Sequence, residues 1–202
     1  LAQTKMFLAS GINPALSPDA HRVTLEAVKQ AHAAEKLVAF DLNYRSKLWD
    51  IPTAKKVLSE YLPYVSILFT SGGDAAEVLG FSDPPGEDLA LKMSEELGIP
   101  TVCLVYGPGD TSSALWRAVC ASNGKTYAAE QEGALMTVDR LGAGDAFAGG
   151  FLTGFLEEGP ALGVKMGNAV MTLKNTYQGD IAWVTRDVVD AYLAGEGGMI
   201  KR

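Results

Sequence analysis

An α/β fold with a mostly parallel sheet is what this sequence predicts, on three observations. Short apolar runs alternate along the chain with longer stretches of helical periodicity. The runs are apolar at consecutive positions, as in Leu37-Val38-Ala39-Phe40, which is the pattern of strands covered on both faces. Turn and cap residues separate the two kinds of segment at the spacing of right-handed βαβ units.

Met6 to Ala9 is a short buried strand that ends in the turn residues Ser10, Gly11 and Asn13. Ser17-Pro18-Asp19 starts a helix, with Ser as the cap, Pro at the first helical position and Asp against the positive dipole end. That helix runs to about Glu35, and Val23, Ala27 and Ala31 form its expected inward stripe. Leu37 to Leu42 is the next strand, interrupted only by Asp41. A helix over about Thr53 to Leu62, a strand at Val65 to Phe69 and a helix over about Asp74 to Leu79, closed by Gly80, continue the alternation. A helix at Glu87 to Leu97 stops at Gly98, and a strand follows at Thr101 to Tyr106. Ala114 to Val119 and Lys125 to Ala128 flank Ser122-Asn123-Gly124, a hairpin signal that adds an antiparallel edge. Three helices end the chain, over about Ala143 to Glu158, Leu162 to Thr176 and Arg186 to Ala194.

Composition narrows the function classes. With 48% hydrophobic and 20% charged residues and a mean hydropathy of +0.09, the chain has the makeup of an ordinary soluble domain. No apolar run approaches membrane-spanning length, and Leu1 to Lys5 lack the regions of a signal peptide, so the expected location is cytoplasmic. The net charge of −7, without a basic cluster, argues against nucleic acid or an anionic membrane as partner. Cys103 and Cys120 lack metal-ligand spacing and read as reduced core residues. His21 and His32 read as ordinary helix residues.

The stretch Val138-Asp139-Arg140-Leu141-Gly142-Ala143-Gly144-Asp145-Ala146-Phe147-Ala148-Gly149-Gly150-Phe151 carries the most chemistry. A glycine-containing turn feeds directly into a helix, whose first unpaired N–H groups favour anionic oxygen. Gly149 and Gly150 inside the helix each cost roughly 1 kcal/mol against Ala, which points to close packing against a backbone or a ligand. Asp145 has two readings: a first-turn acid that complements the helix dipole, or a base that accepts a proton from a substrate hydroxyl.

Asp-x-x-Gly-Ala-Gly-Asp-x-Phe-x-x-Gly-Phe, from Asp139 to Phe151, resembles the signature of the ribokinase/PfkB family of sugar kinases. The resemblance implies a ribokinase-like three-layer α/β/α sandwich with a mostly parallel sheet. It implies Asp145 as the catalytic base in contact with substrate, and the amides of Gly142, Ala143 and Gly144 as the anion hole. Phe40-Asp41-Leu42-Asn43-Tyr44-Arg45 is similar to a second segment of the family, and most to its 2-keto-3-deoxygluconate branch. There Asn43 and Arg45 are expected on ATP, and Arg45 can instead fork onto the carboxylate of an acid sugar. Leu173-Lys174-Asn175-Thr176-Tyr177-Gln178-Gly179-Asp180 resembles the end of such kinases and places Asp180 near substrate, and Asn168, on the preceding helix, resembles a residue lining the adenine side.

Two segments depart from the family pattern. Ser71-x-x-Asp74 stands for an Asn-x-x-Glu segment that supports Mg²⁺, leaving Asp74 as the expected metal residue. Val105-Tyr106-Gly107-Pro108-Gly109-Asp110 keeps Gly107 and Gly109 for ATP but puts a negative Asp110 beside them. ATP and Mg²⁺ are thus the implied cofactors and a small sugar or sugar acid the partner, with kinases of fructose, ribose or nucleosides as alternatives. A nucleotide-binding remnant without catalysis is a third reading, and a homo-oligomer is left open. Residues 1–202 are expected to be the carboxy-terminal portion of a single kinase domain, with the amino-terminal part and lid missing. The strands at Met6 to Ala9 and Leu37 to Leu42 are then expected to have lost sheet neighbours.

Overall fold

Six strands lie in the order β1-β2-β3-β4-β5-β6 in one sheet of a computed structural model, which describes residues 3–108, 110, 115–131 and 135–195. The chain divides into two compact units, Leu1–Leu104 with Ala121–Thr126, and Val105–Cys120 with Tyr127–Arg202. No helix among the described residues is long and apolar enough to cross a membrane.

In the first unit, β1 (Met6–Ser10), β2 (Leu37–Asp41) and β3 (Ile67–Ser71) are parallel, with Ser10 level with Asp41 and Asp41 level with Phe69. β4 (Thr101–Tyr106) lies beside β3, where the Thr101 amide donates to the Ser66 carbonyl at 3.1 Å. Val38, Ala39 and Phe40 are fully buried, as expected of a strand covered on both faces. β1 ends the strand order, while β2 is paired on both sides, so only β1 of the two expected edges is one.

Local chemistry sets the helix ends. The Ser17 hydroxyl accepts from the Ala20 amide to start α2 (Pro18–Ala33), and the Asp50 carboxylate accepts from Thr53 to start α3 (Ile51–Ser59). Gly98, left-handed at φ 65°, closes α5 (Glu87–Leu97). Three details differ from the sequence reading. The turn after β1 is a short helix, α1 (Ile12–Leu16). The inward face of α2 is built on Val28 and Ala31, while Val23 is 58% exposed. The segment before Gly80 is a single turn, α4 (Gly72–Asp74), followed by a π-helical turn at Ala75–Leu79.

β5 (Arg117–Ser122) and β6 (Lys125–Glu130) are joined by Asn123 and Gly124, both at positive φ. A two-residue connection allows only antiparallel pairing, which makes the sheet mixed. Cys103 and Cys120 are buried and not joined in a disulfide.

The second unit rests on two helices, α6 (Ala143–Glu158) and α7 (Pro160–Lys174). Gly150 and Gly154 on α6 face Gly163 and Gly167 on α7. A Cβ on Gly150 would lie 2.8 Å from the Met166 carbonyl oxygen, and one on Gly167 2.9 Å from that of Phe147. Gly150 therefore has the backbone-packing role its sequence position suggests. Gly149 does not, since a Cβ there would meet nothing within 4 Å. α8 (Arg186–Leu193) packs Val189 and Tyr192 onto Met166, Ala169 and Leu173 of α7.

Candidate functional site

In the second unit, Gly142 caps α6 in the left-handed region at φ 76°, and Asp145 is the third residue of the helix and exposed. The Ala143 amide donates to the Arg140 carbonyl at 3.1 Å, so it is spoken for within the turn. The amides of Gly142 and Gly144 meet no acceptor among the described residues and, of the three named from sequence, remain open to an anion.

Gly142 is required for a second reason. A Cβ there would land on the carbonyl oxygen of Asp180, so the Gly142 turn and the turn carrying Asp180 touch backbone to backbone. Asp145 and Asp180, 35 residues apart in sequence, both line a cavity of about 460 Å³ with Gly149, Met166, Val170 and Ile181. Arg186 also lines it, but its guanidinium is already paired with Asp190 and Glu157, at 2.8 and 2.7 Å.

The Asp139 carboxylate ties these turns together. Its oxygens accept from the amides of Leu141 and Gly179, each at 3.0 Å. Those bonds, with the charge of Lys174, hold its pKa below the usual carboxylate value. The amides of Val138 and Asp139 donate to the Asn175 carbonyl at 2.7 and 3.2 Å.

Asp110 does not stand as a loose negative charge near the expected nucleotide. Its carboxylate accepts from the Gly107 amide at 2.6 Å and closes a turn whose other bond runs from the Asp110 amide to the Gly107 carbonyl. Gly109 lies outside the described residues. Asn168 is buried, donates to the Trp116 carbonyl at 3.4 Å, and lines a second cavity of about 480 Å³ with Lys165 and Tyr192. Arg140, which the sequence reading passed over, stacks its guanidinium 4.8 Å from the centre of the Trp116 ring.

In the first unit the parallel register brings Ser10, Asn43 and Asp74 to the carboxyl ends of neighbouring strands, where open α/β sheets bind ligands. Asn43 is left-handed at φ 43° and donates to the Ser10 hydroxyl at 3.1 Å. Arg45 is exposed, and its guanidinium donates to the Tyr44 carbonyl at 3.1 Å. Asp74 accepts from the Tyr44 amide at 3.3 Å, while the Ser71 hydroxyl caps the Asp74 amide at 3.0 Å.

Burial raises the Asp74 pKa above 3.8, against the lowering pull of the Tyr44 amide and the Arg45 charge. The folded state therefore holds this proton more tightly than the unfolded chain. Stability is greatest below the unfolded pKa and falls as pH rises through the raised, folded one. Asp74→Asn keeps an acceptor for Tyr44 and removes the charge. Its Tm is expected to exceed that of the wild type at pH 7, the gap closing as pH is lowered past 4, by calorimetric melts at both pH values. A variant less stable than wild type at pH 7 would show the ionised carboxylate to be stabilising.

Comparison with known proteins places this geometry. The model of the pfkB family of carbohydrate kinases matches residues 1–186. The chain is 34% identical over 197 residues to a 2-dehydro-3-deoxygalactonokinase of Haloferax volcanii, covering 97% of this chain and 59% of that one. It is 29% identical over 169 residues to a 2-dehydro-3-deoxygluconokinase of Haemophilus influenzae, covering 77% and 48%. The crystal structure of 2-dehydro-3-deoxygluconokinase from Thermotoga maritima superposes with a TM-score of 0.83 at 25% identity, over 96% of this chain and 61% of that one. The chain thus spans about half to three-fifths of the length of these relatives. With a mixed six-stranded sheet flanked by helices and the Asp139 to Phe151 signature opening α6, the chain belongs to the pfkB family of carbohydrate kinases.

Proposed function

We propose that the protein containing this chain transfers the γ-phosphoryl group of ATP to a hydroxyl of a 2-keto-3-deoxy sugar acid, with Asp145 as general base. One observation carries the reading: Asp145 opens α6 beside the Gly142 and Gly144 amides, which meet no acceptor among the described residues, and lines a cavity shared with Asp180. Asp145 takes the hydroxyl proton as the new O–P bond forms. The bond from the γ-phosphorus to the bridging oxygen breaks and ADP leaves with the electron pair. The open amides stabilise charge on the transferring group.

Arg45, Asn43, Gly107, Gly109 and Asn168 are assigned to ATP, and Asp180 to the sugar. Among the described residues no three His, Cys, Asp or Glu side chains cluster around a metal position. Mg²⁺ is commonly held by one or two carboxylates plus phosphates and water, so the half-buried Asp74 fits as a single protein donor. Bound there, the ion would neutralise phosphate charge. The names of the relatives from Haloferax and Haemophilus support the acid-sugar branch.

Substrate class is tested on the full-length protein. It is expected to prefer 2-keto-3-deoxygluconate or its galactonate epimer to fructose, ribose and adenosine by kcat/KM. A preference for a neutral sugar would sink the acid-sugar assignment. Arg45→Ala separates the two roles of that cation. A rise of roughly tenfold or more in KM for the sugar acid alone would place Arg45 on the carboxylate. A shift in KM for ATP, or a kcat loss with every sugar, is the outcome expected of a phosphate contact.

A further inference from the structure

Lys174 is the last residue of α7 and is fully buried, at 0% exposure. A lysine on an exposed helix end needs no explanation, but a buried ammonium has lost its water and persists only where polar groups replace it. Its Nζ donates to the Asp139 carbonyl oxygen at 2.8 Å and stands 5.9 Å from the centre of the Tyr177 ring. The negative end of the α7 dipole also favours a cation there.

The partner of this ammonium matters more than its burial. Asp139 is the first residue of the signature, three positions before Gly142, and its side chain already accepts from Leu141 and Gly179. Lys174 thus grips the main chain of the segment whose side chain organises both turns. Asn175, the next residue, holds the same segment through its carbonyl, which accepts from Val138 and Asp139.

We propose that Lys174 is a positioning residue for phosphoryl transfer. Its ammonium fixes the Asp139 carbonyl and so aims the Gly142 and Gly144 amides that receive the transferring group. This rests on the anion-hole reading above, and it adds a residue that touches neither ATP nor sugar. A helix-end lysine that served packing alone would have no reason to act on catalysis separately from stability.

The test uses Lys174→Met and Lys174→Arg in the full-length protein, with two readouts. In Lys174→Met, amide hydrogen exchange is expected to quicken by about tenfold or more at the hydrogen-bonded amides of Asp139, Leu141 and Ala143, while the interior of α6 and α7 keeps its protection. Turnover with the best sugar acid is expected to fall by roughly 30- to 100-fold in kcat, with KM for that sugar changed less than about threefold. Lys174→Arg retains charge and donors and is expected to keep wild-type exchange at those three amides.

Unchanged exchange at the Asp139, Leu141 and Ala143 amides in a folded Lys174→Met variant overturns the proposal. So does an increase spread evenly over the second unit, because that marks a core residue. If the Met variant does not fold, Lys174→Arg decides: a folded Arg variant that loses protection at the Asp139, Leu141 and Ala143 amides overturns it, and retained protection there with kcat within about fivefold of wild type supports it. Should the wild type phosphorylate no sugar, the functional reading fails, and the exchange readout still decides whether Lys174 positions the turn.

Discussion

Asp145→Asn is expected to lower kcat by roughly 10²-fold or more while binding of ADP persists. Asn has the shape of Asp but cannot take a proton from the sugar hydroxyl at neutral pH. The side chain is exposed at the helix start, so the exchange leaves the packing of α6 intact. The amides of Gly142 and Gly144 are unaffected, so the nucleotide should keep its partners. A purely dipolar role for Asp145 gives a different outcome: a stability loss of about 0.3–1 kcal/mol with turnover near normal. Steady-state kinetics of the full-length enzyme, with ADP affinity by calorimetry, distinguish the two. A kcat within a few-fold of wild type would remove Asp145 from the role of base.

Gly142→Ala is expected to cost about as much, by a different route. At φ 76° an alanine carries a left-handed penalty of about 1–2 kcal/mol. Its Cβ would also land on the Asp180 carbonyl, and a backbone atom cannot swing aside like the tip of a long side chain. Either the Gly142 amide turns away from the anion or the turn bearing Asp180 moves. Loss of one such donor reduces kcat by about 10²- to 10³-fold. Gly98→Ala is the control for strain alone, because Gly98 has a similar φ of 65° but a Cβ there would meet nothing within 4 Å. It should lower Tm without touching kcat. If both variants lose only stability, the contact between Gly142 and Asp180 has no catalytic weight.

Much of this arrangement was legible in local sequence because local physics decides it. Ser17-Pro18 and Asp50 start helices by capping, Gly98 and Gly80 end them in the left-handed region, and Asn123-Gly124 closes the hairpin. The Gly-Ala-Gly-Asp turn opens α6 at Ala143, and the continuous apolar run of β2 belongs to a buried parallel strand. Other features depend on which segments meet. The face of α2 is rotated so that Val23 points to solvent, because an alanine-rich helix offers two nearly equal apolar faces and only its neighbours choose between them. Asp110 reads as a repulsive charge until its carboxylate is seen closing the Gly107 turn. The amides of Gly142, Ala143 and Gly144 are equivalent in sequence, but only geometry shows Ala143 turned onto Arg140. Lys174 is the extreme case: a lysine ending a helix reads as a solvated charge answering the dipole. Its burial depends on Asp139, 35 residues earlier, whose carbonyl takes the place of water at the ammonium.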